Sequence, residues 1–210
     1  MKVKVCGNTN VDQVFQLDEI GVHYAGFIFY EKSPRYVIGR IKESELKRAD
    51  LGLKKVGVFV NADYEEVMKQ KDKFGLQVIQ LHGDESPELC SRISKEVLTI
   101  KVFRMSSGNG IDEKLKEFAG VVDFFLFDKE DKRFGGTGEK FNWKVLSLLS
   151  VHQPFFLSGG IGLEDVEEIK QLQMDSIGRW MYGVDVNSRF EIEPGLKETD
   201  KVRQFLKKIA

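Results

Sequence analysis

The chain has 210 residues, enough for one domain with a sizeable core or for two small ones. Apolar residues make up 41% and charged residues 31%, an ordinary globular composition, and a net charge of −1 gives no electrostatic case for nucleic acid or an anionic membrane as a partner. Cys6 and Cys90 stand far apart in no CxxC pattern, which argues against a disulfide framework or a zinc module, and no apolar run approaches the ~18–20 residues that cross a bilayer.

In chain order, Val3-Lys4-Val5-Cys6-Gly7 reads as a short first strand. Its lysines interrupt the apolar run and leave no signal-peptide core, so the expected setting is the cytoplasm. Asn10, with Gln13 three positions on, reads as a capping box for a helix that buries Val11, Val14, Phe15 and Leu17. Tyr24 to Tyr30 is a second strand, followed by a loop holding Ser33-Pro34-Arg35-Tyr36 and a weakly patterned helix within Lys42 to Asp50. Lys55 to Asn61 is a third strand; Asp63 with Glu66 opens the helix after it. Val78 to His82 is a fourth, and Ser86-Pro87 starts the next helix, since proline suits the first helical position.

Thr99 to Phe103 is a fifth strand, with a short helix over Asp112 to Ala119. Phe124-Phe125-Leu126-Phe127-Asp128 is the sixth. Four large apolar residues in a row cannot alternate between core and water, so this strand is buried on both faces, as in a parallel sheet. A glycine-rich loop, Gly135-Gly136-Thr137-Gly138, precedes a helix over Asn142 to Leu149. The loop lacks the ending of a nucleotide-binding P-loop and is expected to act as a flexible cover. Phe155 to Gly160 is a seventh strand, Leu163, Val166, Ile169 and Leu172 mark a helix, and Trp180 to Val186 is an eighth strand. Val202, Phe205, Leu206 and Ile209 stripe the last helix.

This regular alternation predicts an α/β chain built as a single (β/α)8 barrel over residues 1–210, with an open doubly wound sheet as the alternative; no G-x-G-x-x-G follows the first strand. In a barrel the strand ends converge on one active face. Those ends are Cys6, the Arg35 loop, Asn61, His82, Arg104, Asp128, Gly159-Gly160, and Asp185 with Asn187-Ser188. The last two turns stand where barrels bind phosphate. Arg35 has the geometry for a carboxylate or phosphate. His82 reads as a hydrogen-bonding residue and not as a metal ligand. Cys6 and Asp128 could form an acid/base pair, but their ordinary pKa values, about 8.5 and about 3.9, run the wrong way. The site would have to lower the first by positive charge and raise the second by burial. Residue types alone favour Cys6 as a small buried apolar residue.

Together these segments resemble the phosphoribosylanthranilate isomerase family. The resemblance spans the chain: Lys4-Val5-Cys6-Gly7, Gly26 to Phe29 with Lys32 to Tyr36, Val56 to Asn61, Gln80 to Glu85, Asp128, the 135–138 loop with Phe141 and Trp143, Leu157 to Gly160, Val184-Asp185-Val186 and Pro194-Gly195. It implies a (β/α)8 barrel and an Amadori rearrangement of a phosphosugar in tryptophan synthesis, with no cofactor and no metal. It also implies Asp128 as general acid and Cys6 as general base, so that Cys6 becomes catalytic. Arg35 would hold the anthranilate carboxylate. Gly159, Gly160, Asn187 and Ser188 would hold the phosphate, and His82, Gly136 and Asp185 would line the substrate site. The expected partner is that small molecule, and the oligomeric state stays open between monomer and homodimer. The histidine-pathway isomerase resembles it less, because that enzyme pairs two aspartates and Cys6 holds the place of one; indole-glycerol-phosphate synthase relies on lysines, of which Lys101 is the one comparable strand residue, unless it fills the barrel interior. A barrel that has lost catalysis would lack Cys6 or Asp128, and a redox sensor would need a resolving cysteine. Two positions depart from the family pattern: Arg189 stands where glycine is frequent, and Asn8 where a hydrophobic residue is usual.

Overall fold

The alternation closes into a ring. The computed structural model describes residues 1–105, 111–129 and 141–210. Strands β1 (Lys2–Val5), β2 (Tyr24–Ile28), β3 (Lys54–Phe59), β4 (Val78–Leu81), β5 (Leu98–Met105), β6 (Phe124–Lys129), β7 (Phe155–Leu157) and β8 (Met181–Val186) pair in parallel in chain order. β1 hydrogen-bonds to β2 on one side and to β8 on the other, so the sheet has no edge and the fold is a (β/α)8 barrel rather than an open sheet. Helices α1 (Val11–Glu19), α2 (Glu43–Arg48), α3 (Tyr64–Phe74), α4 (Pro87–Ser94), α5 (Ile111–Phe118), α6 (Val166–Met174) and α7 (Thr199–Ile209) follow the strands. Among the described residues, no helix is long and apolar enough to cross a membrane.

The strand period of two sorts the side chains into two cores. Tyr24, Val56, Val78, Ile100, Val102, Leu126 and Phe156 fill the barrel, while Phe103, Phe125, Phe127, Phe155 and Leu157 pack outward under the helices. The run at β6 is therefore buried on both faces, and Asp128 follows Phe124 and Leu126 on the inward side. The same rule turns Lys101 outward, between Ile100 and Val102. It does not fill the interior: its Nζ donates to Glu85 Oε2 at 2.7 Å and to Gly83 O at 2.8 Å. Glu85 also accepts from the backbone N–H groups of Asn61 and Gly83, which ties together the loops after β3 and β4.

The capping signals hold in part. Asn10, Asp63 and Ser86 each accept the expected backbone N–H, from Gln13, Glu66 and Leu89. Gln13 does not complete its box; its amide bonds both backbone groups of Lys197 at 2.8 Å and pins α1 to a later segment. The helix expected over Asn142 to Leu149 is a 3₁₀ helix, Trp143–Leu148. Trp143 and Leu146 are its buried pair, and spacing by three suits a helix of three residues per turn. A hairpin of β9 (Glu191–Glu193) and β10 (Leu196–Lys197) lies between β8 and α7, turning at Pro194-Gly195 with Gly195 at φ +94°.

Candidate active site

A cavity of about 720 Å³, counted with its open mouth, lies where the strands end. Cys6 after β1, Arg35 after β2, His82 after β4, Asp128 in β6, Gly160 after β7, and Asp185, Asn187 and Ser188 at the end of β8 all line it. Gly159 stands behind it: φ is +93°, and a Cβ there would come within 3.2 Å of the Lys129 N–H and 3.5 Å of Asp128 Oδ1. Gly136 and the rest of the 135–138 loop lie outside the described residues. Asn61 and Arg104 end strands but turn away, Asn61 to the Asp84 N–H and Glu85, Arg104 to Asp84. Asn61 takes φ +53°, a left-handed conformation that asparagine tolerates.

Arg35 is buried and already paired. Its Nε and Nη2 grip the Glu191 carboxylate at 2.9 and 2.6 Å. Glu191 also accepts from Lys197 Nζ at 2.6 Å and from the Gly195 N–H at 3.0 Å, and Lys197 reaches Asn187 Oδ1 at 2.8 Å. Two cations thus share one carboxylate, leaving a positive excess beside the cavity. Gly7, at φ +77°, makes room for this arrangement: a Cβ there would lie 2.5 Å from Arg35 Cδ and 2.8 Å from Asn187 Oδ1.

Sequence reasoning missed Lys4, Gln80, Ser158, Glu191 and Lys197. Gln80 and Ser158 line the cavity. Lys4 is fully buried inside the barrel, its Nζ 2.9 Å from Asp185 Oδ1. The signal was available: Lys4 precedes Cys6 by two positions on a strand, which places both on one face. The two departures also find accounts. Asn8 is buried and its Nδ2 donates to Val5 O at 2.8 Å and Gly26 O at 3.1 Å, holding the exit of β1 against β2. Arg189 sits in a 3₁₀ turn over Ser188–Phe190, outside the left-handed region, so no glycine is required there; it lines the cavity and pairs with Glu164.

Residues 3–208 match the family model described as N-(5'-phosphoribosyl)anthranilate isomerase. The chain belongs to this family. It is 39% identical over 211 residues to the N-(5'-phosphoribosyl)anthranilate isomerase of Parabacteroides distasonis, covering 100% of the chain and 93% of that protein. It superposes on the phosphoribosyl anthranilate isomerase of Thermus thermophilus with a TM-score of 0.85 at 27% identity, over 100% of the chain and 98% of that structure. A phosphoribosyl anthranilate isomerase crystallised with reduced 1-(o-carboxyphenylamino)-1-deoxyribulose 5-phosphate matches with a TM-score of 0.77 at 28% identity, covering 100% and 98%.

The electrostatics of this candidate site split the expected acid/base pair. Burial pushes the Asp128 carboxyl up to about 6, and the nearby Asp185 charge adds to this. The Lys129 N–H, 2.8 Å from Asp128 Oδ1, works the other way. That is the direction an acid needs. Cys6 does not follow expectation: burial raises its thiol, and the Lys4 charge recovers only part of the rise. The positive charge that was to lower it is present, but the thiol lies too deep for that charge to prevail. His82 is pushed down to about 3 by burial and by the charges of Lys4, Lys101 and Arg104, so it is neutral. Its Nε2 stands 3.6 Å from Asp128 Oδ2 as a polar neighbour rather than an ion-pair partner, and its Nδ1 lies 3.1 Å from Gln80 Nε2.

Proposed function

We propose that this isomerase works on N-(5-phosphoribosyl)anthranilate with Asp128 as general acid and Cys6 as general base, giving 1-(2-carboxyphenylamino)-1-deoxyribulose 5-phosphate for L-tryptophan biosynthesis. The observation that supports the assignment is a raised carboxyl in β6 and a thiol just after β1 that line one cavity. Asp128 delivers its proton to the furanose ring oxygen. The bond from that oxygen to C1′ breaks, and the nitrogen lone pair forms the C1′=N bond of a protonated Schiff base. Cys6, as thiolate, removes the proton on C2′. The freed electron pair makes C1′=C2′, and the iminium nitrogen takes back its lone pair. The enolamine then moves its hydroxyl proton to C1′ and becomes the ketone. No cofactor enters these steps, since ring opening itself supplies the electron sink.

The productive protonation state is therefore neutral Asp128 with ionised Cys6, a minority form of the free site at neutral pH. Two anionic groups on the substrate favour the neutral acid further when bound. Arg35, whose Nε and Nη2 are engaged by Glu191, lines the cavity and would hold the anthranilate carboxylate. The turns at Gly159-Gly160 and Asn187-Ser188, the latter opening the 3₁₀ segment, suit the phosphate, because backbone N–H groups at such turns point at an anion. His82, which is neutral, and Asp185, which pairs with Lys4, complete the lining.

The test is turnover of freshly made substrate, followed as loss of anthranilate-type fluorescence, for the parent and for Cys6→Ser and Asp128→Asn. Activity falling by about 10²–10⁴-fold in each folded variant supports the roles. Activity surviving both substitutions keeps the substrate and discards the acid/base assignment.

A further inference from the structure

A charged pair lies inside the barrel beside the two proton carriers, among an interior filled mainly by apolar side chains with Gln80 as a neutral polar neighbour. Lys4 and Asp185 are register partners across β1 and β8, and their side chains meet at 2.9 Å with Lys4 wholly out of solvent. Buried ion pairs contribute little net stability compared with apolar packing, so stability alone does not account for one here. Its placement does. Lys4 and Cys6 are two residues apart on one strand face. A Cβ on Gly26 of β2 would lie 2.9 Å from Cys6 Sγ and 3.1 Å from Lys4 Nζ, so sulfur and ammonium converge on the space that this glycine leaves open. The other end of the pair faces Asp128. Asp185 and Asp128 stand on β8 and β6, one strand apart, and both open on the cavity.

We propose that the Lys4–Asp185 pair is a fixed dipole that poises the site, with Lys4 favouring the thiolate of Cys6 and Asp185 favouring the neutral acid of Asp128. Both are positioning residues, and the inference rests on the acid and base roles given above. Each charge opposes the other's effect, and the nearer end prevails. At Cys6 the attraction of Lys4 exceeds the repulsion of Asp185; at Asp128 the order reverses. Burial works to lower Lys4, but Asp185 and Cys6 outweigh it and keep the ammonium charged; burial also raises the Asp185 carboxyl, and the Lys4 and Lys197 charges that favour its ionised form offset only part of that rise. The remaining charged groups around the two carriers do not replace this pair. Lys197 of β10 and Arg35 of the loop after β2 are both held by Glu191, and His82 beside Asp128 is neutral.

The experiment reads the thiol directly. The rate of Cys6 alkylation by iodoacetamide is followed against pH in the full chain by peptide mass spectrometry, which counts Cys90 separately. An opposite charge within about 4–6 Å moves a titration by about 1–3 units. In Lys4→Met the alkylation midpoint is expected to rise by at least about one unit, and alkylation below it to slow about tenfold. In Asp185→Asn the limb of the kcat/KM profile set by Asp128 is expected to move to lower pH. Because Lys4→Met alone leaves Asp185 buried without its partner, the neutral double variant Lys4→Met/Asp185→Asn is measured too. It keeps no unpaired charge, and its Cys6 midpoint is still expected above the parent's. An unchanged midpoint in either variant carrying Lys4→Met overturns the proposal, as does an unmoved kcat/KM profile in Asp185→Asn. Alkylation does not depend on turnover, so failure of the base role itself is seen separately, as activity retained in Cys6→Ser.

Discussion

Glu191 is the keystone between the Arg35 loop and the hairpin, and its removal gives a sharp test. Its side chain is 4% exposed and holds Arg35 through two nitrogens, Lys197 through Nζ and the Gly195 N–H. Glu191→Gln conserves shape but leaves two buried cations facing a neutral amide. Truncating one partner of a buried pair costs about 3–5 kcal/mol. In a chain of this size each kcal/mol moves Tm by about 2–4 °C, so a fall of about 6–20 °C is expected at pH 7. Burial raises the Glu191 carboxyl, but Arg35 and Lys197 outweigh it and hold it below its ordinary value. A depressed carboxylate stabilises above its unfolded pKa of about 4.3, and this stabilisation is lost as pH falls through the folded value. The gap between parent and variant should therefore narrow below pH 4. Replacing Lys197 by Met in the same chain removes one surplus cation and should recover part of the loss. Thermal melts from pH 3 to 8, read by circular dichroism, make the comparison. A Glu191→Gln variant melting within about 2 °C of the parent at pH 7, or a gap that ignores pH, would refute the reasoning.

Three further outcomes are expected. Asp128, raised to about 6 against about 3.9 unfolded, binds its proton more tightly when folded, so its contribution to stability is complete below the unfolded value and is lost as pH rises through the folded one. Asp128→Asn should thus be inactive yet more stable than the parent above pH 6, by up to about 3 kcal/mol in urea titrations, with the advantage fading towards pH 4; a less stable variant at pH 8 would contradict the burial argument. Gly26→Ala should lower kcat by about tenfold or more, because its Cβ would crowd Cys6 Sγ and Lys4 Nζ; full activity would show that the pocket has slack. Arg189 follows the Asn187-Ser188 turn and lines the cavity, so its charge would act near the proposed phosphate: Arg189→Ala should raise KM about two- to fivefold and weaken its dependence on salt while sparing kcat, and an unchanged KM and salt response would exclude that charge role.

Local pattern was enough to place the strands and, with the strand order, the residues that share the cavity. The unbroken apolar run at Phe124–Phe127 could only belong to a strand covered on both sides, and eight such units in alternation left few architectures. Once the strands were placed, the rule that a barrel gathers its strand ends brought Cys6, Arg35, His82, Asp128, Asp185 and Asn187 to one cavity. The helix at Trp143 was legible but its 3₁₀ character was not, because one buried pair spaced by three suits either kind of helix over a single turn. The β9–β10 hairpin escaped because its strands are too short to carry a period, although Pro194-Gly195 marked the turn.

What the sequence by itself determined, then, is periodicity and the chemistry available at each strand end, because both depend on neighbours along the chain. What only the tertiary structure decided is how charges are paired and how deep they lie. Lys4 and Lys101 are both strand lysines, yet one faces the barrel interior and Asp185 while the other faces the helices and Glu85. Arg35 reads as a free guanidinium until β9 brings Glu191 against it from 156 residues away. Cys6 reads as a thiol that positive charge could activate until its depth is known. Proton affinity is set by distance and desolvation in three dimensions, and the linear order of residues carries neither.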